Sequence, residues 1–390
     1  MKHELYILGA RRTPVGTFMG TLKNFSPVDL GVVAAKAALS DAKVSGDQVA
    51  HSIFGNVCSI SSPDGIYLAR HIALKAGVKI SSGSLTVNRL CGSGFEALVQ
   101  AQLWVDQGPV LVGGAENMSL TPLIIRGVRE GFKFSRPPAT IDSLWESLMD
   151  AYIQMPMGQT AEVLAKEYEI SRDDCDRWAL LSHQRASKQS QSGALKAEIV
   201  SVDVDGKLFD SDEHIRHDAN LEKMTKLKPV FGGVTTAANA SGMNDAAAAL
   251  IVADARFTES WKKTTGLKPM ARVVASSSVG CDPKRMGIGP VAAIQNLCSE
   301  TGWKLKDIPY VEVNEAFAAQ VLSVKKALQL SDEQLNPHGS GISLGHPLGA
   351  TGARISTHIA HLLASRQFPR AIGSACIGGG QGIAIAFEAL

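Results

Sequence analysis

The chain has 390 residues, of which 45% are hydrophobic and 19% are charged, and its formal net charge is +2. Because this length exceeds one ordinary hydrophobic core, we expect two or three domains or subdomains. The small net charge and the aromatic content of 6% argue against nucleic-acid binding. No apolar run approaches the roughly 20 residues of a membrane helix, which argues against a membrane span.

The six cysteines are scattered along the chain, and no pair of them has the spacing of zinc ligands. We therefore expect reduced thiols and no metal site. The N-terminus leads directly into a strand-like segment at residues 5–8 and resembles neither a secretory signal nor a transit peptide. These features predict an intracellular protein, of either a bacterial cytoplasm or a mitochondrial matrix.

Short apolar runs alternate with helical stretches in residues 1–119, which we interpret as one α/β half. Strands are predicted at 5–8, 49–54, 85–87 and 110–112, and helices at 27–40, 65–76 and 94–105. The last of these strands is expected to end at the bend Gly113-Gly114. This alternation predicts βαβ units in a mostly parallel sheet.

The alternation stops near residue 120. Residues 120–242 contain a charged helix predicted over 171–192 and a polar segment at 203–228, without a regular succession of strands. We interpret them as an inserted, loop-rich domain that covers part of the molecule. Residues 243–267 are then a return to the N-terminal half.

Residues 268–390 resume the α/β pattern and form the C-terminal half. Strands are predicted at 271–275, 310–313, 371–374 and 383–387, and helices at 290–301, 316–328 and 349–363. A glycine-rich bend precedes a helix both at Cys91 and at His346, and the glycine bends after Val112 and Cys376 also correspond. This similarity predicts a duplicated fold with the functional site at the junction of its halves.

Cys91 lies between a short strand and a helix, in Asn88-Arg89-Leu90-Cys91-Gly92-Ser93-Gly94. The N-terminus of a helix favours thiolate, so a nucleophile is the favoured interpretation. Residues 92–97 also match G-x-G-x-x-A, the turn that binds dinucleotides, and Glu116 lies near the position of the acidic residue that accompanies it. A nicotinamide-dependent dehydrogenase and a merely packed cysteine therefore remain as alternatives.

Three further residues could act together with Cys91. His346 is surrounded by glycines and precedes Pro347, and imidazole is the usual partner that activates a cysteine. Cys376 precedes three glycines whose backbone N–H groups could form an oxyanion hole, although it could also be a buried structural thiol. Asn314 follows the strand at 310–313, where it could hold a catalytic water or cap a helix.

Five segments together resemble the thiolase family, in order and over essentially the whole chain: 88–94, 113–119, 314–317, 345–347 and 376–380. The resemblance implies an α/β thiolase fold, with a duplicated five-layered α/β/α/β/α core and an inserted loop domain that binds CoA. It also implies assembly as a homodimer or homotetramer.

The same resemblance assigns roles to the residues. Cys91 would take the acyl group, His346 would activate it, and Cys376 would move a proton at the α-carbon of acetyl-CoA. Asn314 would position a water that forms one oxyanion hole with His346, and the N–H groups of Cys91 and Gly378 would form the other. Four positions would contact CoA or line its pocket: Met157, Arg216, Ser241 and Phe317.

The implied reaction is CoA-dependent cleavage of 3-ketoacyl-CoA to acetyl-CoA and a shortened acyl-CoA, or the reverse Claisen condensation, without a cofactor. Pro156 lies where short-chain members of the family often carry histidine, so the chain resembles more closely the degradative, mitochondrial-type thiolases of fatty acid β-oxidation. The alternatives are a short-chain acetyl-CoA acetyltransferase, a ketosynthase-type condensing enzyme and a non-catalytic protein that binds CoA or lipid.

Overall fold

The computed structural model describes residues 4–390, so the first three residues of the predicted N-terminal half lie outside the described residues. In chain order the strands are β1 (Leu5–Arg12), β2 (Gly16–Thr17), β3 (His51–Gly55), β4 (Gly83–Val87), β5 (Val110–Asn117), β6 (Leu123–Ile125), β7 (Thr140–Asp142), β8 (Met149–Asp150), β9 (Met155–Pro156), β10 (Val202–Val204), β11 (Lys207–Phe209), β12 (Asn244–Ala253), β13 (Ala271–Gly280), β14 (Tyr310–Val313), β15 (Arg370–Ile377) and β16 (Gln381–Glu388). The α-helices are α1 (Pro27–Asp41), α2 (Leu68–Lys75), α3 (Ser93–Gln100), α4 (Ser143–Ser147), α5 (Met157–Glu167), α6 (Arg172–Gln191), α7 (Leu221–Thr225), α8 (Ala255–Thr265), α9 (Gly289–Thr301), α10 (Ala318–Leu328), α11 (Gly341–Leu344) and α12 (Thr351–Ala364).

The large sheet consists of two similar halves that meet where β1 pairs antiparallel with β13. Outward from the β1–β13 pair, the strand order is β1-β12-β5-β3-β4 in one half and β13-β16-β15-β14 in the other. A parallel bridge between Val311 and Leu335 takes the place in the second half that β4 takes in the first. The duplication predicted from the sequence is therefore confirmed.

The prediction of a mostly parallel sheet is wrong. Strand β3 pairs parallel with β4 and β5, and β14 with β15, but the other neighbours in the sheet are antiparallel. In the C-terminal half only residues 378–380 separate β15 from β16, and so short a connection permits only antiparallel pairing. The bend expected at Gly113-Gly114 is also absent, since both glycines lie inside β5, which continues to Asn117.

Alternate side chains along the strands point to different cores, which defines the layers. Val110 and Val112 belong to a central core that also holds Phe95 of α3 and Ile355 of α12, whereas Leu111 belongs to an outer core beneath α1 and α2. A second outer core packs α9 and α10 against the other half of the sheet. Helices α3 and α12 are thus enclosed between the two sheet halves, and the predicted α/β/α/β/α layering is confirmed.

The two central helices approach each other backbone to backbone. A Cβ atom on Gly94 would lie 2.4 Å from the backbone nitrogen of Ala353, and one on Gly352 would lie 2.2 Å from that of Phe95. Glycine is therefore required on both helices at this crossing. The crossing places the N-termini of α3 and α12 side by side, and these are the helices that Cys91 and His346 precede.

The strands between residues 118 and 243 pair only with one another, in three two-stranded sheets. Buried polar contacts fasten this segment to the rest of the molecule. Arg12 of β1 donates to both carboxylate oxygens of Asp212, at 2.7 and 2.9 Å, and Trp178 of α6 donates to Glu315 at 3.0 Å. Over residues 4–390, no helix combines the length and the apolar character needed to cross a bilayer.

Candidate active site

Cys91 follows a strained backbone turn. Leu90 has φ of +46°, a left-handed conformation that is costly for a branched side chain. Ser93 holds the turn, because its hydroxyl donates to the carbonyl of Leu90 at 2.6 Å and accepts from the backbone N–H of Arg89 at 2.8 Å. The thiol is thereby presented at the start of α3.

The surroundings of Cys91 keep its sulfur protonated at rest. Burial raises the pKa of the Cys91 thiol to about 11, although hydrogen bonding from the backbone N–H of Gly378 opposes part of that rise. This burial favours the neutral thiol and so opposes the thiolate that the helix N-terminus is predicted to favour. A nucleophilic Cys91 therefore needs a base.

His346 is held at its backbone and at one ring nitrogen. Its backbone N–H donates to Asn244 Oδ1 at 2.9 Å, and its Nδ1 lies 2.7 Å from Thr351 Oγ1. Its Nε2 is buried and has no hydrogen-bond partner among residues 4–390. Burial, with a smaller contribution from the charge of Arg354, lowers the pKa of His346 to about 3, so the ring is neutral at physiological pH.

Asn314 has an unsatisfied side chain in the interior. Its backbone N–H donates to the carbonyl of Ser374 at 2.9 Å, which joins the end of β14 to β15. Its Oδ1 and Nδ2 are both buried and unpartnered within the described part of the chain. Phe317, not Asn314, occupies the N-cap of α10, so the helix-capping alternative is wrong. A buried amide with two unsatisfied atoms is suited to bind a water or a polar substrate group.

Cys376 lies at the end of β15, fully buried in a small cluster with Met157, Met286, Ala316 and Phe317. Burial raises the pKa of the Cys376 thiol well above its ordinary value, and the neighbouring Cys91 raises it further. A strongly held proton suits a group that gives a proton to carbon, because such a transfer requires the thiol form at neutral pH.

One apolar cavity unites most of the predicted site residues. Cys91 and His346 line it together with three of the four proposed CoA contacts, Met157, Ser241 and Phe317. Its remaining wall is mostly apolar and includes Met118, Trp145, Leu148, Phe231, Met286 and Leu348. Cys376 does not line the cavity itself but belongs to a cluster whose other members, Met157, Met286, Ala316 and Phe317, all line it. Arg216 is the one proposed CoA contact outside it, since it lines a separate polar cavity beside α6. Asn314 and Gly378 are likewise not among the residues that line the apolar cavity.

Glu116 is the acidic residue that a dinucleotide site would need for a ribose. Its carboxylate is instead fully buried and accepts four hydrogen bonds, from Asn56 Nδ2 and from the backbone N–H groups of Val57, Cys58 and Gly349. Burial raises the pKa of Glu116 to about 7. Because its oxygens are occupied and Gly94 is packed against α12, the dinucleotide interpretation of residues 92–97 is wrong.

Sequence reasoning missed Asn244 and Thr351. Thr351 follows His346 by five residues in Gly349-Ala350-Thr351-Gly352, a spacing that could have indicated a contact within one turn of backbone. Asn244 is 102 residues away from His346 along the chain, and no local pattern indicates that contact.

Comparisons with known proteins identify the family of this chain. The family models named "Thiolase, N-terminal domain" and "Thiolase, C-terminal domain" match residues 5–256 and 267–389. The chain is 46% identical to the mitochondrial 3-ketoacyl-CoA thiolase of Mus musculus over 393 residues, which cover 98% of each chain. It is 46% identical to the beta-ketothiolase BktB of Cupriavidus necator over 398 residues, which cover 100% of each.

A solved structure gives the same result for the fold. Human mitochondrial 3-ketoacyl-CoA thiolase in complex with CoA matches with a TM-score of 0.96 and 45% sequence identity. The match covers 100% of this chain and 98% of the human one. Because two family models match in order over nearly all residues and the fold agrees throughout, this chain belongs to the thiolase family of acyltransferases.

Proposed function

We propose that the protein is a 3-ketoacyl-CoA thiolase, which uses CoA to cleave 3-ketoacyl-CoA into acetyl-CoA and an acyl-CoA two carbons shorter. The observation that carries the proposal is the convergence of Cys91, the free Nε2 of His346 and the buried Cys376 thiol around one apolar cavity. A non-catalytic CoA-binding protein has no need for an unsatisfied imidazole beside a thiol. CoA is a substrate of this reaction, and the chemistry requires no cofactor.

In the first half-reaction, His346 Nε2 takes the proton of Cys91, and the thiolate attacks the 3-keto carbon of the substrate. The N–H groups of Cys91 and Gly378 stabilise the negative charge of the tetrahedral intermediate. The Cα–Cβ bond then breaks, which leaves the acyl group on Cys91 and the electron pair on the enolate of acetyl-CoA. A water held by Asn314, together with protonated His346, stabilises the enolate oxygen while Cys376 gives its proton to the α-carbon.

In the second half-reaction, the Cys376 thiolate takes the proton of an incoming CoA thiol. The CoA sulfur attacks the acyl-Cys91 thioester, and the shortened acyl-CoA leaves as the Cys91 sulfur departs. His346 returns its proton to that sulfur, so both thiols and the imidazole regain their starting forms. The reverse sequence is the Claisen condensation of acetyl-CoA with an acyl-enzyme.

We also propose that CoA is bound mainly by the inserted domain, with the chain divided at 1–119, 120–242, 243–267 and 268–390. Met157, Ser241 and Phe317 line the cavity that leads to Cys91, which suits the thin pantetheine arm. Arg216 would contact a phosphate of CoA outside this cavity, because a guanidinium binds phosphate oxygens well. The polar side chains beside Arg216, among them Lys188 of α6, support an anionic ligand there.

Among thiolases we favour the degradative subtype with a broad range of chain lengths, which acts in fatty acid β-oxidation. Pro156 and Met157 line the cavity without adding a polar group, and Trp145 of α4 lines the cavity while it is 48% exposed to solvent. A longer acyl group on Cys91 could extend in that direction, past Leu148. The alternative is an acetyl-CoA acetyltransferase confined to acetoacetyl-CoA.

The test is CoA-dependent loss of the enolate absorbance of acetoacetyl-CoA and of a medium-chain 3-ketoacyl-CoA. Cleavage of both, with the longer substrate preferred, is the expected result. Cleavage of acetoacetyl-CoA alone would establish the short-chain acetyltransferase instead. If neither substrate is cleaved while acetyl-CoA still binds, the proposed function is wrong.

We further propose a homodimer or homotetramer, located in a bacterial cytoplasm or a mitochondrial matrix. β4 is the last strand in the order of the large sheet and bears the exposed Leu85, and Ile80 just before it is 81% exposed. An apolar edge strand of this kind suits pairing with a second copy. Light scattering on the purified protein would refute the proposal if it gave the mass of a single chain.

A further inference from the structure

The hydrogen bond between His346 and Thr351 bears on which ring nitrogen carries the proton. Nδ1 of His346 lies 2.7 Å from Thr351 Oγ1, and the same hydroxyl donates to the carbonyl of Pro347 at 3.2 Å. A carbonyl oxygen only accepts hydrogen bonds, and a threonine hydroxyl has one hydrogen to give. If that hydrogen goes to Pro347, Thr351 Oγ1 must accept from Nδ1–H.

We propose that Thr351 is a positioning residue, whose hydroxyl keeps the proton of neutral His346 on Nδ1 and leaves the Nε2 lone pair facing Cys91 and the cavity. The inference rests on the proposed function, since it takes His346 as the base of a thiolase. The opposite tautomer would place a hydrogen on Nε2, which is buried and has no acceptor within residues 4–390. It would also take the hydroxyl hydrogen of Thr351 away from the carbonyl of Pro347, which would then accept only from the backbone N–H of Ala350 at 2.8 Å.

A hydroxyl in this position has a chemical consequence that a carboxylate would not have. Catalytic and metal-binding histidines commonly donate Nδ1–H to a carboxylate or a backbone carbonyl, and the carboxylate stabilises the imidazolium. Thr351 is neutral, so it orients the ring without stabilising a positive charge on it. The pair of Cys91 and His346 therefore rests as thiol and neutral imidazole, in agreement with a Cys91 pKa of about 11 and a His346 pKa of about 3.

Thr351 can fix the imidazole ring of His346 because other contacts fix Thr351 in place. It is the first residue of α12, fully buried, and its hydroxyl reaches back across the short turn to Pro347. One turn further along α12, Arg354 forms a buried ion pair with Glu312 of β14 at 2.5 Å. Asn244 secures the backbone of His346 from the other half of the molecule. The ring is thus fixed at the backbone and at Nδ1, and only Nε2 is available for chemistry.

The test compares three substitutions on α12. Thr351→Val removes the hydroxyl while it keeps the branched shape, and Thr351→Ser keeps a hydroxyl. Thr357→Val is the matched control, because Thr357 is also buried on α12 but its hydroxyl has no partner among the described residues. We expect kcat for 3-ketoacyl-CoA thiolysis to fall about 10- to 100-fold in Thr351→Val, with KM changed less than about threefold. Thr351→Ser should recover kcat to within about threefold of the wild type, and Thr357→Val should remain within about twofold.

Nitrogen-15 NMR of the histidine-labelled wild type gives a readout that does not depend on turnover. The spectrum of a His346→Asn variant identifies the signals of His346 among the ten histidines. We expect a protonated Nδ1 and an unprotonated Nε2 in the wild type, and a population protonated at Nε2 in Thr351→Val. If Thr351→Val does not fold, Thr351→Ala replaces it, since alanine is well tolerated at the start of a helix.

Two results would overturn the inference: a wild-type His346 protonated at Nε2, or a Thr351→Val variant whose kcat equals that of Thr357→Val. Failure of the proposed function is recognised separately. In that case the wild type cleaves no 3-ketoacyl-CoA, while the NMR spectra still report which nitrogen of His346 carries the proton.

Discussion

The substitution Gly114→Ala tests whether β5 can carry a side chain at the position where it packs against residues 349–350, which follow His346. In β5 a Cβ atom at this position would lie 2.2 Å from the carbonyl oxygen of Gly349 and 2.8 Å from Cα of Ala350. An ordinary contact begins at 3.4 Å, so Gly114→Ala must push residues 349–350 away by about 1.2 Å. Those residues lie only a few positions after His346.

The displacement has two calculable costs. Overpacking of a buried site costs about 1–3 kcal/mol, and loss of the 2.8 Å hydrogen bond from Gly349 N–H to the buried Glu116 carboxylate adds about 1.5–3 kcal/mol. We therefore expect Gly114→Ala to lower the free energy of unfolding by about 2.5–6 kcal/mol. A shift of about 1 Å next to His346 should also lower kcat/KM about 100-fold.

Gly280→Ala is the matched control, because Gly280 also lies in a strand but the nearest atom to an added Cβ is 4.0 Å away. Its free energy of unfolding should change by less than about 0.5 kcal/mol. Urea denaturation and steady-state thiolysis provide the two measurements. The expectation is refuted if the free energy of unfolding of Gly114→Ala lies within about 1 kcal/mol of that of Gly280→Ala and Gly114→Ala also retains its kcat/KM.

Four further predictions concern the site and its support. Cys91→Ser should form no covalent adduct with acetyl-CoA by mass spectrometry, and a persisting adduct would identify another nucleophile. Cys376→Ser should still be acylated but should cleave 3-ketoacyl-CoA at least about 100-fold more slowly, whereas equal loss of both steps would contradict a separate proton carrier. Trp145→Ala should open the cavity toward solvent and raise kcat/KM for a C16 substrate at least about threefold relative to acetoacetyl-CoA, and an unchanged ratio would place the acyl chain elsewhere. Arg354→Met breaks the buried ion pair with Glu312 and should lower the free energy of unfolding in urea by about 3–5 kcal/mol. Arg177→Met breaks an exposed ion pair and should leave the urea midpoint unchanged. Similar midpoints for the two variants would show that burial of the pair is unimportant.

Local patterns along the chain were sufficient to predict the duplicated halves. The strand-to-helix bends before Cys91 and His346 look alike because both helices begin at the same place in their half of the fold. The segment 120–242 is predicted to be an insertion because the regular alternation of strands and helices stops there and its composition differs. Such features depend on short-range periodicity and turn residues, which a sequence displays directly.

Strand direction was predicted incorrectly for a physical reason. In a half composed of β3, α2, β4, α3 and β5, alternation predicts parallel pairing, and these strands are parallel. β12 then enters the sheet between β1 and β5 after an insertion of more than a hundred residues, and it runs antiparallel to both. A strand that returns after so long a connection carries no local signal of its direction.

The sequence by itself determined the identity of the chemical groups, because a thiol, an imidazole and an amide are properties of Cys91, His346 and Asn314 alone. Only the tertiary structure decided the protonation state and the orientation of these groups. The pKa of Cys91 is raised because folding removes its water, and His346 is neutral for the same reason. Its orientation depends on Asn244, which β12 brings from far along the chain. Hydration and hydrogen-bond partners belong to the folded surroundings, and no local segment specifies them.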